Sequence, residues 1–278
     1  MDKKTYREAL LGASSFLEAQ GKEGYSIQFL FLERKQWQKL DWLLHMNEVI
    51  SEADQLLIQT DMKLLLENHP PQYLLGYADF YGHRLKVTEA TLIPRPETEE
   101  LVDWCLAEVA GSEQAVIDIG TGTGAIAISL KAERPEWQVS AVDLSASALD
   151  VAKENAEKEQ TEIDFYLGDT LEPVLDQRFD IIISNPPYIS HKEWDLMDES
   201  VRTFEPKMAL FAETDGLAIY RKIAREAPDV LTEEGKIFLE IGFRQGEAVQ
   251  NIFQQAFPHK TVIVKKDLSG NERMIQVY

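Results

Sequence analysis

From residue 115 to the end of the chain, short apolar runs alternate with stretches of helical periodicity, and this alternation leaves few folds open. Ala115-Ile119, Trp137-Val142, Ile163-Leu167, Phe179-Ser184 and Lys236-Ile241 have the length and character of strands. Between them, Ala125-Lys131, Ala146-Glu159, a segment near Leu217-Ala227 and Ala248-Phe257 place apolar residues at helical spacing. Thr261-Lys265 and Arg273-Tyr278, separated by Leu268-Ser269-Gly270-Asn271, read as an antiparallel pair. Strands that are apolar throughout need cover on both faces, as parallel strands joined by right-handed helical crossovers have. The expected architecture is therefore α/β: a doubly wound, mostly parallel sheet of seven strands, the last one reversed.

Two strand ends in this series carry chemistry. Phe179 to Ile183 runs into Ser184-Asn185-Pro186-Pro187-Tyr188. Neither proline donates to a ladder, so the strand stops at Asn185, and the residue before each proline is held extended. This makes a stiff elbow with backbone carbonyls freed from pairing, at the carboxyl end of a strand, where open α/β sheets bind ligands. The second is Asp118-Ile119-Gly120-Thr121-Gly122-Thr123-Gly124-Ala125, between the first strand and its helix. Its alternating glycines let backbone turn tightly and approach a ligand. Asp143 closes the second strand 23 residues after Gly120 and suits a ribose diol. By spacing the loop also satisfies the dinucleotide-binding pattern, so it points to a nucleoside cofactor without saying which.

The glycine loop, the acidic end of the second strand and the Asn-Pro-Pro-Tyr tetrad together resemble a class I S-adenosylmethionine-dependent methyltransferase, which implies a Rossmann-like sheet. The tetrad in that setting resembles enzymes that methylate planar amide or exocyclic amino nitrogens. Such nitrogens are poor nucleophiles. The Asn185 side-chain oxygen and the Pro186 carbonyl can each accept one N–H of an –NH2 group, and both bonds strengthen as the nitrogen turns tetrahedral. Tyr188 can stack on the flat acceptor and exclude water. With these segments stand Ile93-Pro94-Arg95-Pro96-Glu97-Thr98-Glu99, Phe204-Glu205-Pro206 and Gly270-Asn271-Glu272-Arg273. Their order is similar to that of the peptide chain release factor N5-glutamine methyltransferase family, as is Gln72-Tyr73-Leu74-Leu75-Gly76 to that family's linker. The resemblance implies methyl transfer from S-adenosyl-L-methionine, released as S-adenosyl-L-homocysteine, to the glutamine of the Gly-Gly-Gln loop of release factors. It assigns Gly120, Thr121, Gly122, Thr123, Gly124, Asp143 and Asn185 to the cofactor and Asn185, Pro186, Pro187 and Tyr188 to catalysis. Thr170 departs from the pattern, standing after Asp169 where relatives can carry an aromatic residue against adenine.

The N-terminal quarter differs in kind. Apolar residues recur at helical spacing in Tyr6, Leu10 and Leu11, in Trp42 to Ile50 and in Leu56 to Leu66, with Gly21 and Gly24 bracketing a break. Ser51 with Asp54 reads as a capping-box variant. The expected domains are a helical bundle over 1–75, a β-hairpin linker over 76–94 and a methyltransferase domain over 95–278. The bundle is either a stabilising cap or a module that docks the release factor. Arg95, Glu97, Glu99 and Glu100 open a helix at Pro96, where the acids suit the helix dipole or a ligand.

Charge bears on the acceptor. The chain carries −20 overall, with 10 basic and 13 acidic residues up to Ala90 and 18 basic and 35 acidic residues after it. That balance opposes stable nucleic-acid binding and disfavours an adenine-N6 methyltransferase, the alternative activity; a non-catalytic S-adenosylmethionine-binding adaptor is the alternative of another class. His45, His69, His83, His191 and His259 lack metal-ligand spacing, and the single cysteine, Cys105, reads as packing, so no metal is expected. No apolar run is long enough to span a membrane, and Met1 to Glu8 lacks the apolar core of a signal peptide. A cytoplasmic location is expected.

Overall fold

The computed structural model describes residues 4–109, 111 and 113–278, without the side chains of His191, Asp195 and Leu196. The first three residues of the expected helical domain and of the signal-peptide reading, and positions 110 and 112 of the expected methyltransferase domain, lie outside the described residues. The chain forms two compact units.

The first unit runs to Gly76 and also takes in Asp198–Phe204, a segment from far along the chain. Its helices are α1 (Tyr6–Ala19), α2 (Tyr25–Lys35), α3 (Lys39–His45), α4 (Glu52–Leu66) and α5 (Pro71–Leu75). α1 opens with a reciprocal capping box: Thr5 Oγ1 accepts from Glu8 N at 3.3 Å and Glu8 Oε2 accepts from Thr5 N at 2.8 Å. At α4, Ser51 Oγ accepts from Asp54 N at 3.1 Å and donates to Asp54 Oδ2 at 2.9 Å, and the same carboxylate accepts from Tyr6 Oη at 2.6 Å and Lys35 Nζ at 3.0 Å. Apolar periodicity marks one face only: Leu10, Leu17, Ile27, Leu30, Phe31 and Ile58 form the core, whereas Leu11, Leu43, Val49 and Leu56 face solvent. Pro70-Pro71 does not end the unit. Pro71 takes the first position of α5, where its missing N–H costs nothing, and Gly76 closes the helix at φ +80°. Glu199–Phe204, a single helical stretch, packs here through the Phe204 ring, 4.2 Å from that of His69.

The second unit begins with a hairpin, β1 (Tyr77–Phe80) and β2 (His83–Lys86). Tyr81 and Gly82 both have positive φ, +49° and +80°, as a two-residue turn matching strand twist requires. There follow α6 (Pro96–Glu108), β3 (Ala115–Ile119), α7 (Ala125–Glu133), β4 (Gln138–Asp143), α8 (Ala146–Lys158), β5 (Ile163–Leu167) and β6 (Phe179–Ser184). The chain ends with α9 (Ala218–Val230), β7 (Leu231–Glu240), α10 (Gly246–Ala256), β8 (Val262–Lys266) and β9 (Glu272–Val277). The seven strands β3–β9 lie in the order β5-β4-β3-β6-β7-β9-β8, parallel except for β9. This is the doubly wound, mostly parallel sheet expected from the sequence. Along β6, Ile181 and Ile183 enter the core with Trp104 and Phe238, while Ile182 enters the opposite one with Tyr220 and Phe253; all three isoleucines are fully buried. Burial of each side chain contributes about 1.5–3 kcal/mol, which is why the strand has no polar face.

Two boundaries differ from expectation by three residues or more. β7 starts at Leu231 because Leu231 pairs with Phe179, and the chain then bulges before Lys236 pairs with Ile181. α9 continues past Ala227 through Pro228 to Val230, which is fully buried. Among the described residues no helix is long and apolar enough to cross a membrane.

Candidate active site

The strand order reverses between β3 and β6: from β3 the chain winds outward through β4 and β5, then returns to β3's other side. That is the switch point at which loops part and leave a crevice beyond the carboxyl ends of the strands. Register fixes what stands there. Ile119 pairs with Ser184, so Gly120 and Asn185 leave the sheet side by side, and Ser184 Oγ donates to Ile119 O at 2.6 Å to lock the two ends. Ser184 also pairs with Leu239, which sets Glu240 beside Asn185 on the next strand.

Gly120 and Gly122 have φ of +69° and +56°, and a Cβ on either would meet no protein atom within 4 Å, so the loop is bare on its outer side. Asp143 holds it in place: Gly122 N donates to Oδ2 and Ser145 N to Oδ1, each at 2.8 Å. Burial raises the Asp143 pKa, against the pull of these N–H groups. Each oxygen keeps lone pairs for a further donor. Below the loop, Asp118 is fully buried, with Oδ2 accepting from Thr121 Oγ1 at 2.6 Å; burial pushes its pKa up to about 7, against the Thr121 and Ala127 hydrogen bonds. Asn155 ties loop to hairpin, donating to Thr123 O at 2.9 Å and Lys86 O at 3.1 Å and accepting from Lys86 N at 2.7 Å.

Asn185 Nδ2 donates to Thr98 Oγ1 at 3.0 Å, and Thr98 Oγ1 donates to Glu240 Oε2 at 2.6 Å. Tyr188 Oη lies 3.4 Å from Glu240 Oε1. Burial pushes Glu240 up to about 7, with the Thr98 hydrogen bond and the Arg273 charge acting the other way. Burial also raises the Tyr188 phenol, helped by the Glu240 charge. The Tyr188 carbonyl accepts from Gln245 Nε2 at 3.0 Å. Against it lies a turn in which Thr214, Asp215 and Gly216 are all left-handed, at φ +58°, +55° and +81°.

Arg95 and Glu205, read in separate motifs, form an ion pair at the cleft, and Glu205 Oε2 also accepts from Ile93 N at 3.2 Å. Glu205 is buried and Arg95 lines the cleft, so the pair joins two distant segments. Thr170, at φ +55°, is buried with its hydroxyl on Glu226 Oε2 at 2.5 Å, while Lys222 Nζ meets Asp169 at 2.5 Å.

One cleft of about 1070 Å³, solvent mouth included, gathers Gly120, Thr121, Gly122, Thr123, Asp143, Asn185, Pro186 and Pro187. Gly124 and Tyr188 stand outside its lining; a Cβ on Gly124 would lie 3.3 Å from that of Ala152, so its place is in helix packing. Sequence reasoning missed Thr98, Asp118 and Glu240. A signal existed for two of them: Asp118 and Glu240 are carboxylates at the ends of otherwise apolar strands, Ala115–Ile119 and Ile237-Phe238-Leu239. Thr98 gave none. Among the described residues no group of His, Cys, Asp and Glu could hold a metal ion.

The family models of the PrmC N-terminal domain and the methyltransferase small domain match residues 8–76 and 99–211. A release factor glutamine methyltransferase of Enterococcus faecalis is 56% identical over 271 residues, covering 98% of each chain. One from Lactococcus lactis is 48% identical, covering 94% of this chain and 96% of its own. Among solved structures, the hMettl16 catalytic domain aligns with a TM-score of 0.56 at 15% identity, covering 82% of each chain. A methyltransferase from Pyrococcus furiosus aligns at 0.53 and 19% identity, covering 70% of this chain and 88% of that one. At such identities the two structures share the fold.

Proposed function

Since the chain belongs to the release factor glutamine methyltransferase family, we propose that it methylates the side-chain amide nitrogen of a glutamine in a peptide chain release factor. We place that glutamine in the Gly-Gly-Gln loop. The observation that carries the reading is that a bare glycine loop and the Asn-Pro-Pro elbow open from neighbouring strands into one cleft. The residues fit S-adenosylmethionine, which supplies a methyl carbon bonded to a positively charged sulfur and leaves as S-adenosylhomocysteine. Gly120 to Thr123 would admit it closely, and Asp143, with lone pairs still open, would accept from the ribose hydroxyls.

The protein's task is then the acceptor. The lone pair of an amide nitrogen is delocalised into its carbonyl, so the nitrogen must be held and polarised. Asn185 Oδ1 and the Pro186 carbonyl each take one N–H and orient the nitrogen into the cleft. As the new N–C bond forms, the N–H hydrogens become more positive and both contacts strengthen, which favours the transition state over the ground state. The proton leaves the nitrogen for solvent water after the bond is made, and Pro187 keeps the elbow rigid throughout. Tyr188, outside the cleft lining, braces the elbow from behind with its hydroxyl beside Glu240. Alignment of this kind supplies up to about 7–11 kcal/mol in favourable cases.

We assign residues 1–75 to docking of the release factor, read residues 76–94 as a hairpin linker and give the chemistry to 95–278. With 35 acidic residues against 18 basic after Ala90, the partner is read as protein, without a stable nucleic-acid partner, and the site of action as the cytoplasm. The test is incubation with methyl-labelled S-adenosylmethionine and either a release factor or unmethylated DNA and RNA, with the label located by peptide mapping. Label is expected on one glutamine. Label confined to nucleic acid would overturn the reading, and no label anywhere would leave a binding protein.

A further inference from the structure

An amide side chain presents two unlike ends, and the proposed chemistry works with only one of them toward the acceptor. If Asn185 offered its –NH2, it would meet the N–H groups of the glutamine donor to donor, and one of the two contacts would be lost. Something must fix which end points out.

The structure contains such a device. Thr98 Oγ1 has a single hydrogen, and it lies 2.6 Å from Glu240 Oε2. Ionised, that carboxylate can only accept, so the threonine hydrogen goes to it and the Oγ1 lone pairs face Asn185. The Asn185 atom 3.0 Å from Oγ1 must then be a donor, Nδ2, which leaves Oδ1 for the acceptor amide. The direction of the chain Asn185 → Thr98 → Glu240 is dictated by the charge at its end. Glu240 is only 2% exposed and stands one strand over from Asn185, and the same carboxylate meets the Tyr188 hydroxyl. It thus reaches the elbow at both its amide and its ring.

Resting on the glutamine reading above, we propose that Glu240 and Thr98 are positioning residues that orient the Asn185 amide so that its oxygen, not its nitrogen, faces the acceptor. The charged and titratable groups around Glu240 are Glu97 on α6, Tyr188 beyond β6, Arg273 on β9 and Tyr220 on α9, whose hydroxyl donates to the Glu240 carbonyl at 2.9 Å. A protonated Glu240 reverses the chain. It donates to Thr98, the threonine hydrogen turns to Asn185, and the amide is driven to present its –NH2. With its carboxyl held near 7, Glu240 makes kcat fall as pH drops below about 7.

The experiment compares Thr98→Val, Thr98→Ser and Glu240→Gln with the wild type, reading kcat, KM for release factor, S-adenosylmethionine affinity and the pH profile of kcat. Thr98→Val is expected to lower kcat roughly 10- to 100-fold, the range that loss of an orienting partner costs ligands at metal sites, with cofactor affinity unchanged. Thr98→Ser, which keeps the hydroxyl, recovers most of that loss. Glu240→Gln abolishes the acid limb of kcat. A Thr98→Val enzyme as fast as wild type overturns the assignment. An acid limb that persists in Glu240→Gln also overturns it, pointing instead to Asp118, whose pKa is likewise raised to about 7. If Thr98→Val loses cofactor affinity through misfolding, the Glu240→Gln profile decides by itself. A wild type that labels no glutamine overturns the functional reading and this assignment together, whereas an active wild type with unaffected variants overturns this assignment alone.

Discussion

Replacing Asn185 by alanine removes one of the two acceptors proposed for the glutamine N–H groups and is expected to lower kcat roughly 10²–10³-fold, as loss of one oxyanion-hole group does. Release-factor docking, measured by titration calorimetry, should stay within error of wild type. If docking and turnover fell together, the elbow would be a binding surface and not a reaction centre. Asp143→Asn tests the other half of the cleft. The carboxylate accepts from Gly122 N and Ser145 N, and an amide must turn –NH2 toward one of them. The change also removes the charged acceptor proposed for the ribose hydroxyls, and loss of one charge-assisted hydrogen bond to the ligand costs about 1.5–3 kcal/mol, so the Kd for S-adenosylmethionine should rise roughly 10- to 150-fold by calorimetry.

The left-handed turn at Thr214–Gly216 shows how an element far from the glycine loop governs the site. A Cβ on Gly216 would lie 2.1 Å from the Tyr188 carbonyl oxygen at a φ of +81°. Gly216→Ala is therefore expected to destabilise the fold by about 2–4 kcal/mol, from left-handed strain plus overpacking, and to slow methyl transfer by shifting Tyr188. Urea unfolding and steady-state rates check both; an unchanged unfolding midpoint would mean the turn yields freely. The strands were legible from sequence because burial on both faces writes continuous apolar runs such as Phe179 to Ile183, and the elbow because proline ends a strand wherever it stands. Thr98 was not legible, since its partners Asn185 and Glu240 lie 87 and 142 residues away and only the register of β6 against β7 brings them together. The Arg95–Glu205 pair was half visible: both motifs were noticed, but not that they meet. Pro71 stands at the first position of α5, where proline is tolerated, whereas Pro228 lies inside the last turn of α9.

Across the whole molecule, the buried carboxylates set an opposition between stability and turnover. Asp118 and Glu240 are raised to about 7 from ordinary values of 3.8 and 4.5. Protonation therefore contributes stability that is complete below those ordinary values and is lost as pH rises through about 7. The lowered groups, Asp54 and Asp267, lose their contribution only at more acid pH, so they leave this window untouched. The thermal midpoint is expected to be higher near pH 6 than near pH 8, while kcat runs the other way; a midpoint rising with pH would contradict both raised carboxylates. Added salt should raise the midpoint further by screening a net charge of −20. The borrowing of Asp198–Phe204 by the first unit bears on how the chain is made. Domains fold as units during synthesis, the amino-terminal one first where its residues are contiguous. Here the unit that emerges first lacks the ring that packs on His69 until Phe204 has left the ribosome, by which time β3 to β6 are already out. Neither unit can be finished before the other has begun, and a gene truncated between them would yield a first unit with an open seam.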